Sequence, residues 1–331
     1  MVYKLASKVK EQIIQLFTEH QNEYLSGQYL SDELGISRTA IWKYMKELQE
    51  EGIEIEAVRK VGYKIVGKSD RMTQTDIQLG LETKIFGRKI VYQEETSSTQ
   101  TIANELVMND APEGTIVLAE RQLKGRGRLQ RNWLTSDGKA IAMSLILRPS
   151  ISPKVAPQLT LLTAVAIASA IEKVTELQPS IKWPNDILIN KKKVCGILTE
   201  MQGDADCIRS VVIGIGINVN QVEEDYPLEL SDIATSLRIE KGKSFLRANL
   251  IQVILAEFEK YYELFLDKGF KPIKILWESY AISLGKQIKA TTLNEVIIGN
   301  AIGITDEGQL LIEDSEGKIH TIYSADIAIN K

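Results

Sequence analysis

Residues 152–177, SPKVAPQLTLLTAVAIASAIEKVTEL, decide the fold. Alanine, leucine, valine and isoleucine fall on nearly every side of the helix this stretch would form, instead of on one stripe. A helix that is apolar around most of its circumference is covered on most sides, as when it packs on a sheet. Working outward, β-rich runs flank it: KIVYQEE (89–95), TIVLAERQ (115–122) and AIAMSLILR (140–148) before it. SIKWPNDILIN (180–190), KVCGILTEM (193–201) and CIRSVVIGIGINVN (207–220) follow. Strands interleaved with helices and hairpins predict an α/β (α+β) domain with a mixed sheet over residues 83–270.

The whole chain has 331 residues, too many for one ordinary core, so two or three domains are expected. Its hydrophobic and charged fractions, 44% and 25%, are those of a globular protein. Two cysteines, Cys195 and Cys207, make neither a disulfide framework nor a zinc spacing. No uninterrupted apolar run approaches the roughly 20 residues that span a bilayer, and the N-terminal stretch lacks the apolar block of a signal peptide. A cytoplasmic protein without a membrane partner is expected. The net charge of -4 argues against general affinity for polyanions, so nucleic acid would have to be met by a local patch.

Such a patch is written into residues 1–66. Val9, Ile13, Leu16 and Phe17 recur at helical spacing, and GQYLSDEL (27–34) suits a second short helix closed by Gly35. Ser37 can cap a third, RTAIWKYMKELQEEG, in which Ile41, Met45 and Leu48 share one face. Arg38, Thr39, Trp42, Lys43 and Lys46 gather on another. IEIEAV and YKIV then form a hairpin with Arg59, Lys60 and Lys64 near its tip. Helix, tight turn, helix and basic hairpin make a winged helix-turn-helix, whose third helix enters the major groove and whose wing touches the backbone. A three-helix protein-interaction module would share the helices. The domain's total charge does not separate the two readings, but the segregation of its basic residues favours DNA, with Arg38 and Thr39 reaching base edges or phosphates. Residues 67–82 read as a polar linker running into a capped helix.

Four segments of the middle domain carry chemistry. In ETSSTQTIANEL, Ser97, Ser98, Thr99 and Gln100 follow a strand and open a helix, which suits a polar ligand or anion, though capping alone would explain them. In LKGRGRLQRNW (123–133), just after Gln122, Gly125 and Gly127 permit close approach while Arg126, Arg128 and Arg131 supply guanidinium forks for carboxylate or phosphate. An exposed basic loop is the plain alternative; neither a Walker loop nor a Rossmann fingerprint is present. In KWPNDILINKKKVCGILTE, Lys182 to Asp186 open a strand and a turn of three lysines leads into a second strand bearing Gly196. Asn185 and Asp186 could hold hydrated magnesium with phosphate oxygens, and Lys193 could bridge carboxylate and phosphate. In GIGINVN, Gly214 and Gly216 allow close approach of a nucleotide and Asn218 can donate to phosphate.

With SSTQ, GRGRLQRNW, KWPND, KVCGILTE, GIGINVN and ATSL (234–237) in this order, the chain resembles the biotin protein ligases, in the bifunctional type that also represses biotin genes. The resemblance implies condensation of biotin with ATP to biotinoyl-5′-adenylate, then transfer to one lysine of a biotin carboxyl carrier domain of a carboxylase. It implies biotin contacts from Ser98, Thr99, Gln100, Gln122, Arg126, Gly127, Arg128, Lys193 and Gly196. ATP contacts would come from Arg128, Trp133, Asn185, Gly216, Asn218, Ala234 and Thr235. Lys193, Arg126 and Arg128 would be catalytic, and Asp186 would hold Mg2+. Gln100 stands where many members carry asparagine, and Leu129 where arginine is common. Operator DNA and a ligand-promoted homodimer are the further partners implied.

The chemistry agrees with the composition of the site. Carboxylate attack on an α-phosphate brings two anions together, and fixed cations offset that repulsion without a covalent enzyme intermediate. Only His20 and His320 exist, and neither makes a credible nucleophile–base pair. A mixed anhydride hydrolyses readily, so a mobile arginine loop that closes over it is expected. From residue 284 on, short alternating strands with turns at Asn294, at 306–308 and at 315–317 predict an SH3-like β-barrel over 284–331, joined by a connector at 271–283. FLRANLIQVILAEFEKYYELFL (245–266) is an amphipathic core helix. Two rivals remain: a transcription regulator that senses a small molecule without turning it over, and an acyl ligase using lipoate.

Overall fold

The protein is represented by a computed structural model that describes residues 2–20, 23–50, 52–68, 70–136, 138–203 and 208–329. Cys207 lies outside them. The chain divides into two compact units, one of residues 1–82 with 246–252, the other of residues 83–245 with 253–331.

The first unit holds α1 (Val2–Glu19), α2 (Gly27–Leu34), α3 (Arg38–Glu50), β1 (Ile53–Val58), β2 (Gly62–Lys68) and α4 (Gln74–Gln78). Ile13, Phe17, Leu30, Ile41, Met45, Leu48 and Ile53 form its core, so the expected helix faces are the buried ones. Gly35 closes α2 at φ 64°, and Ser37 Oγ accepts the Ala40 N–H at 3.2 Å to start α3. The turn between helices is therefore fixed by two residues. The β1–β2 hairpin is antiparallel, and Leu25 adds a bridge to Tyr63. Gly62 makes that possible, because a Cβ there would lie 2.3 Å from the Leu25 carbonyl oxygen. Within the expected linker, Thr73 and Asp76 form a reciprocal capping box on α4.

The second unit is built on a seven-stranded sheet. Its elements are β3 (Ile90–Thr96), α5 (Thr99–Met108), β4 (Ile116–Gln122), β5 (Gly125–Arg126), β6 (Asn132–Trp133), β7 (Ala140–Leu147) and α6 (Ala156–Thr175). There follow β8 (Ser180–Lys182), β9 (Asp186–Ile189), β10 (Lys192–Gly203), β11 (Ile208–Asn218), α7 (Leu237–Lys241), α8 (Arg247–Lys268, whose residues 247–252 belong to the first unit) and α9 (Lys271–Tyr280). The sheet order is β3-β4-β7-β11-β10-β9-β8, parallel between β3 and β4 and antiparallel in the other pairs. That is the mixed sheet expected.

Helix α6 packs on β10 and α9 and is buried along most of its length. Residues 153–175 are long and apolar enough to cross a membrane by length and composition, which corrects the expectation that no stretch comes close. The scattered polar residues that interrupt the apolar run do not lower its average enough. They are satisfied inside the fold instead: Ser169 Oγ donates to Glu257 at 2.7 Å and Gln158 Nε2 to the Asp306 carbonyl at 2.9 Å. With 78% of its window buried in the protein, α6 is a core helix.

Two more expectations change. Residues 180–190 form two short antiparallel strands with Lys182 opposite Asp186, and Trp183, Pro184 and Asn185 make the turn between them. Proline has no N–H for a ladder, so a continuous central strand could not pass through it. Past the turn expected at 315–317, where KIHTIYSADIAI (318–329) reads as one strand, the chain makes two, β15 (Ile319–Ile322) and β16 (Asp326–Ile329), with Tyr323–Ala325 between them. With β12 (Gln287–Thr291), β13 (Val296–Ile304) and β14 (Leu310–Glu313), these strands make an antiparallel sheet of order β15-β14-β13-β12-β16. The region expected as a connector, 271–283, is mostly α9.

Candidate active site

The neutral end of the site is assembled where β3 hands over to α5. Ser98 at the N-cap makes no side-chain capping bond, so capping does not account for the polar cluster. Thr99 donates from its backbone N–H to Gln122 Oε1 at 2.9 Å and shares a 2.8 Å hydrogen bond with Ser144 Oγ. Ser144 donates in turn to Gln100 Oε1 at 3.0 Å, and Gln100 Nε2 donates to the Val212 carbonyl at 3.1 Å. A Cβ at Gly214 would meet Gln100 Oε1 at 2.7 Å, so glycine there makes room for the longer amide side chain. Sequence reasoning missed Ser144. Its one signal was a hydroxyl in the strand AIAMSLIL, every residue of which is buried.

The cationic end is the loop 123–133. It is not a free coil: β5 pairs with β6, placing Gly125 opposite Trp133 and Arg126 opposite Asn132. Gly125 was expected to let a ligand approach, but its first use is internal, since a Cβ would lie 2.4 Å from the Trp133 carbonyl oxygen. Leu129 sits in the left-handed region at φ 54°. The three arginines have different surroundings. Arg126 is exposed and 3.8 Å from Glu200. Arg128 is half-buried and donates to Asn185 Oδ1 at 3.0 Å and to Ser324 Oγ at 2.8 Å. Arg131 pairs with Asp326 through both carboxylate oxygens. Burial draws the Arg128 guanidinium below its ordinary value, against the opposing pull of Asp326 and Asp186.

Between the two ends lies Lys193. Its backbone donates to the Ile233 carbonyl at 2.8 Å and accepts from the Thr235 N–H at 2.9 Å, which ties the ATSL segment to β10. The ammonium reaches Asp186 Oδ1 at 2.7 Å and lies 5.5 Å from the centroid of the Trp133 ring. That indole rests on two glycines: a Cβ at Gly216 would lie 2.5 Å from its Nε1, and one at Gly196 would lie 3.0 Å from the ring. Asn185 is buried and donates Nδ2 to the Ile197 carbonyl at 2.9 Å. Asn218 donates Nδ2 to the Thr235 carbonyl and accepts from Gln221 Nε2, both at 3.0 Å.

All the expected ligase residues except Thr235 line one cavity of about 520 Å³. Thr235 does not line it: it is 1% exposed and its hydroxyl donates to Glu240 at 2.6 Å. Lys182, Leu188, Gln221 and Tyr226 also line it, and sequence reasoning had given them no contact there. No group of three or more His, Cys, Asp or Glu that could hold a metal occurs among the described residues. Asp186 with the Asn185 amide suits magnesium only where phosphate oxygens complete the shell, as is usual for that ion. Cys195 is buried, and burial pushes its thiol upward, away from reactivity. His320 is bound to Asp314 in the C-terminal sheet and His20 to Tyr29 in the first unit, so neither serves the cavity.

In the first unit, Arg38, Thr39, Trp42 and Lys43 on α3 and Arg59 and Lys60 at the hairpin tip are all exposed. Lys43 and Lys46 sit 3.9 and 4.0 Å from Glu47 and Glu50, loose pairs that solvent screens.

Comparison with known proteins agrees with this layout. Residues 92–218 match the Biotin/lipoate A/B protein ligase family, residues 9–64 an HTH domain, and residues 283–329 the Biotin protein ligase C terminal domain. The chain is 52% identical over 325 residues to the bifunctional ligase/repressor BirA of Bacillus subtilis, covering 98% of this chain and 100% of that protein. It is 28% identical to the protein of the same name from Escherichia coli, covering 88% of each. The biotin protein ligase of Aquifex aeolicus in complex with biotin and ATP superposes with a TM-score of 0.64 at 32% identity, covering 74% of this chain and 99% of that one. A helix-turn-helix domain, then a ligase domain, then a small C-terminal domain follow one another along the sequence, and at 52% identity over nearly the full length the chain belongs to the biotin protein ligase family, in the bifunctional ligase/repressor type.

Proposed function

We propose that the protein activates biotin with ATP, transfers it to a lysine of a biotin carboxyl carrier domain, and represses biotin genes through its helix-turn-helix domain. In the first step a biotin carboxylate oxygen attacks the α-phosphorus of ATP, the bond to the leaving pyrophosphate breaks, and biotinoyl-5′-AMP forms. In the second, the carrier amine attacks the acyl carbon, AMP leaves, and the amine gives up its proton. One observation carries the reading: Lys193, Arg126 and Arg128 meet the Thr99–Gln100–Gln122 cluster in a single cavity.

The neutral cluster suits the uncharged ring of biotin, with Ser98, Thr99, Gln100 and Gln122 supplying hydroxyls and amides and Gly127 and Gly196 leaving room. Lys193 faces the carboxylate and α-phosphate, where fixed positive charge offsets the approach of two anions. Trp133, Asn185, Gly216, Asn218 and Ala234 frame the nucleotide, with Thr235 holding that segment from within the fold. Magnesium, held through Asp186 and phosphate oxygens, supplies further charge when bound. The arginine loop orders over the adenylate and keeps water from the anhydride.

For regulation, bound adenylate promotes a homodimer that presents two α3 helices to a two-fold operator, and carrier protein reverses this by consuming the adenylate. Such a protein works in the cytoplasm. Biotin-dependent pyrophosphate exchange followed by transfer to a carrier domain tests the chemistry. Gel shift with and without biotin plus ATP tests the switch. Biotin binding without exchange would leave a sensor in place of an enzyme, and DNA binding indifferent to both ligands would sink the switch.

A further inference from the structure

The loop arginines meet the C-terminal sheet at one place, the turn between β15 and β16. Arg128 Nη2 donates to Ser324 Oγ at 2.8 Å, and Arg131 is paired with Asp326. The two partners differ in kind. Asp326 pairs directly with Arg131, whereas Arg128 spends its hydrogen bonds on the neutral acceptors Ser324 and Asn185, which fix its geometry, and feels the Asp326 and Asp186 carboxylates only through space. Burial weighs on that charge, as the lowered value of Arg128 records. An oriented, half-desolvated guanidinium hydrogen-bonded only to neutral groups can exchange them for an incoming anion, while one paired with a carboxylate is an anchor. Arg128, Arg131 and Asp326 also line a second cleft of about 280 Å³ beside the main cavity, so the contact lies within reach of a phosphate chain.

We infer that Ser324 and Asp326 of the C-terminal domain are positioning residues for the ligase reaction: Asp326 anchors the arginine loop through Arg131, and Ser324 aims Arg128 without discharging it. The division of labour assigns substrate contact to Arg128 and tethering to Arg131, and makes the β15–β16 turn part of the nucleotide site's support. Ser324 is exposed, and among the described residues its side chain hydrogen-bonds Arg128 alone, so its replacement is expected to leave the fold intact. The inference rests on the ligase reading for its kinetic consequences, but the anchoring can be read without any turnover.

The test has two arms, both on the full chain. In the ligand-free protein, limited trypsin digestion reads how firmly the loop is held at Arg126, Arg128 and Arg131. Asp326→Asn is expected to speed cleavage there several-fold, and Asp326→Glu to restore protection. In pyrophosphate exchange, Ser324→Ala is expected to raise the KM for ATP several-fold at an unchanged melting temperature, and Ser324→Thr to stay near wild type. Ser324→Asp, which places a carboxylate on Arg128, is expected to cut kcat at least tenfold. Equal cleavage in wild type and Asp326→Asn overturns the anchor. Equal kinetics for Ser324→Ala, Ser324→Thr and Ser324→Asp overturn the aiming role. If the wild type shows no exchange, the ligase reading fails, and the trypsin arm still decides whether the turn holds the loop.

Discussion

The Lys193 ammonium stands 2.7 Å from the Asp186 carboxylate although the two are not paired across the sheet: Lys193 lies opposite Leu188, and Asp186 opposite Gly196. The register shifts between Lys193 and Cys195, so Val194 is an extra residue on β10. A bulge of this kind re-aims a side chain next to it, and here it accompanies a lysine turned into the cavity. In the resting site Asp186 compensates the lysine; phosphate oxygens and a carboxylate would compete for it in the reacting one.

That arrangement sets the order of loss on truncation. Lys193→Ala should slow adenylate formation by about 10²–10³-fold, the usual cost of removing one preorganised donor at developing charge. Arg128→Ala should cost at least about tenfold and release adenylate early, a smaller loss because exposed Arg126 on the same loop can partly substitute for it, whereas Lys193 is the cation held against Asp186 and Trp133. Single-turnover formation and retention of labelled adenylate measure both. Wild-type rate and retention in Arg128→Ala would remove the loop from the chemistry.

Ser144 links Thr99 to Gln100, so its removal should be felt at the neutral end alone. Ser144→Ala leaves Gln100 Oε1 buried without its donor, a loss of about 1–3 kcal/mol for an unsatisfied group. Biotin affinity should fall roughly tenfold or more while ATP affinity stays the same. Titration calorimetry with each ligand alone distinguishes this from general damage, which would weaken both.

Why Ser144 escaped sequence reading and Gln100 did not is a matter of distance along the chain. SSTQ, GRGR and KWPND announce themselves through local composition, and the cavity gathers residues from each of the three. Ser144 gains its meaning only from Thr99, 45 residues away, and Ser324 from Arg128, 196 residues away. No periodicity encodes such pairings. The helix-turn-helix was legible because Gly35, Ser37 and the buried face of α3 are local signals. The break at residues 183–185 was also legible, through Pro184, but the apolar flanks of that stretch suggested one strand. Helix α6 shows the opposite limit: its composition fits a bilayer as well as a core, and only the sheet it covers decides.

Glu257 makes the second unit sensitive to acid. It is 6% exposed on α8, accepting from Ser169 Oγ at 2.7 Å and Lys173 Nζ at 2.5 Å on α6. Burial pushes its carboxyl up, but the hydrogen bonds from Lys173 and Ser169 outweigh burial and hold it below the usual range. A depressed folded value means the stabilisation is present above the unfolded value, about 4.3 for glutamate, and is lost as pH falls through the folded one. Glu257→Gln should therefore be less stable than wild type at pH 7, with the gap closing below about pH 4. Urea unfolding at several pH values checks it; a gap independent of pH would assign the loss to packing.

The wing offers the cleanest separation of positioning from reading. Arg59 and Lys60 are exposed at the tip of the β1–β2 hairpin, with Lys60 held at φ 70° so that the turn projects them. Contacts to phosphate carry no sequence information but release counterions, and each neutralised phosphate steepens the salt dependence of binding by about 0.9 in logarithmic slope. Arg59→Ala with Lys60→Ala should then flatten the slope by about 2 and weaken operator and random DNA alike. Arg38→Ala and Thr39→Ala, at the start of α3, should instead narrow the difference between the two DNAs. Fluorescence anisotropy across a salt series resolves both effects, and an unchanged slope in the wing mutant would mean that the hairpin does not touch the backbone.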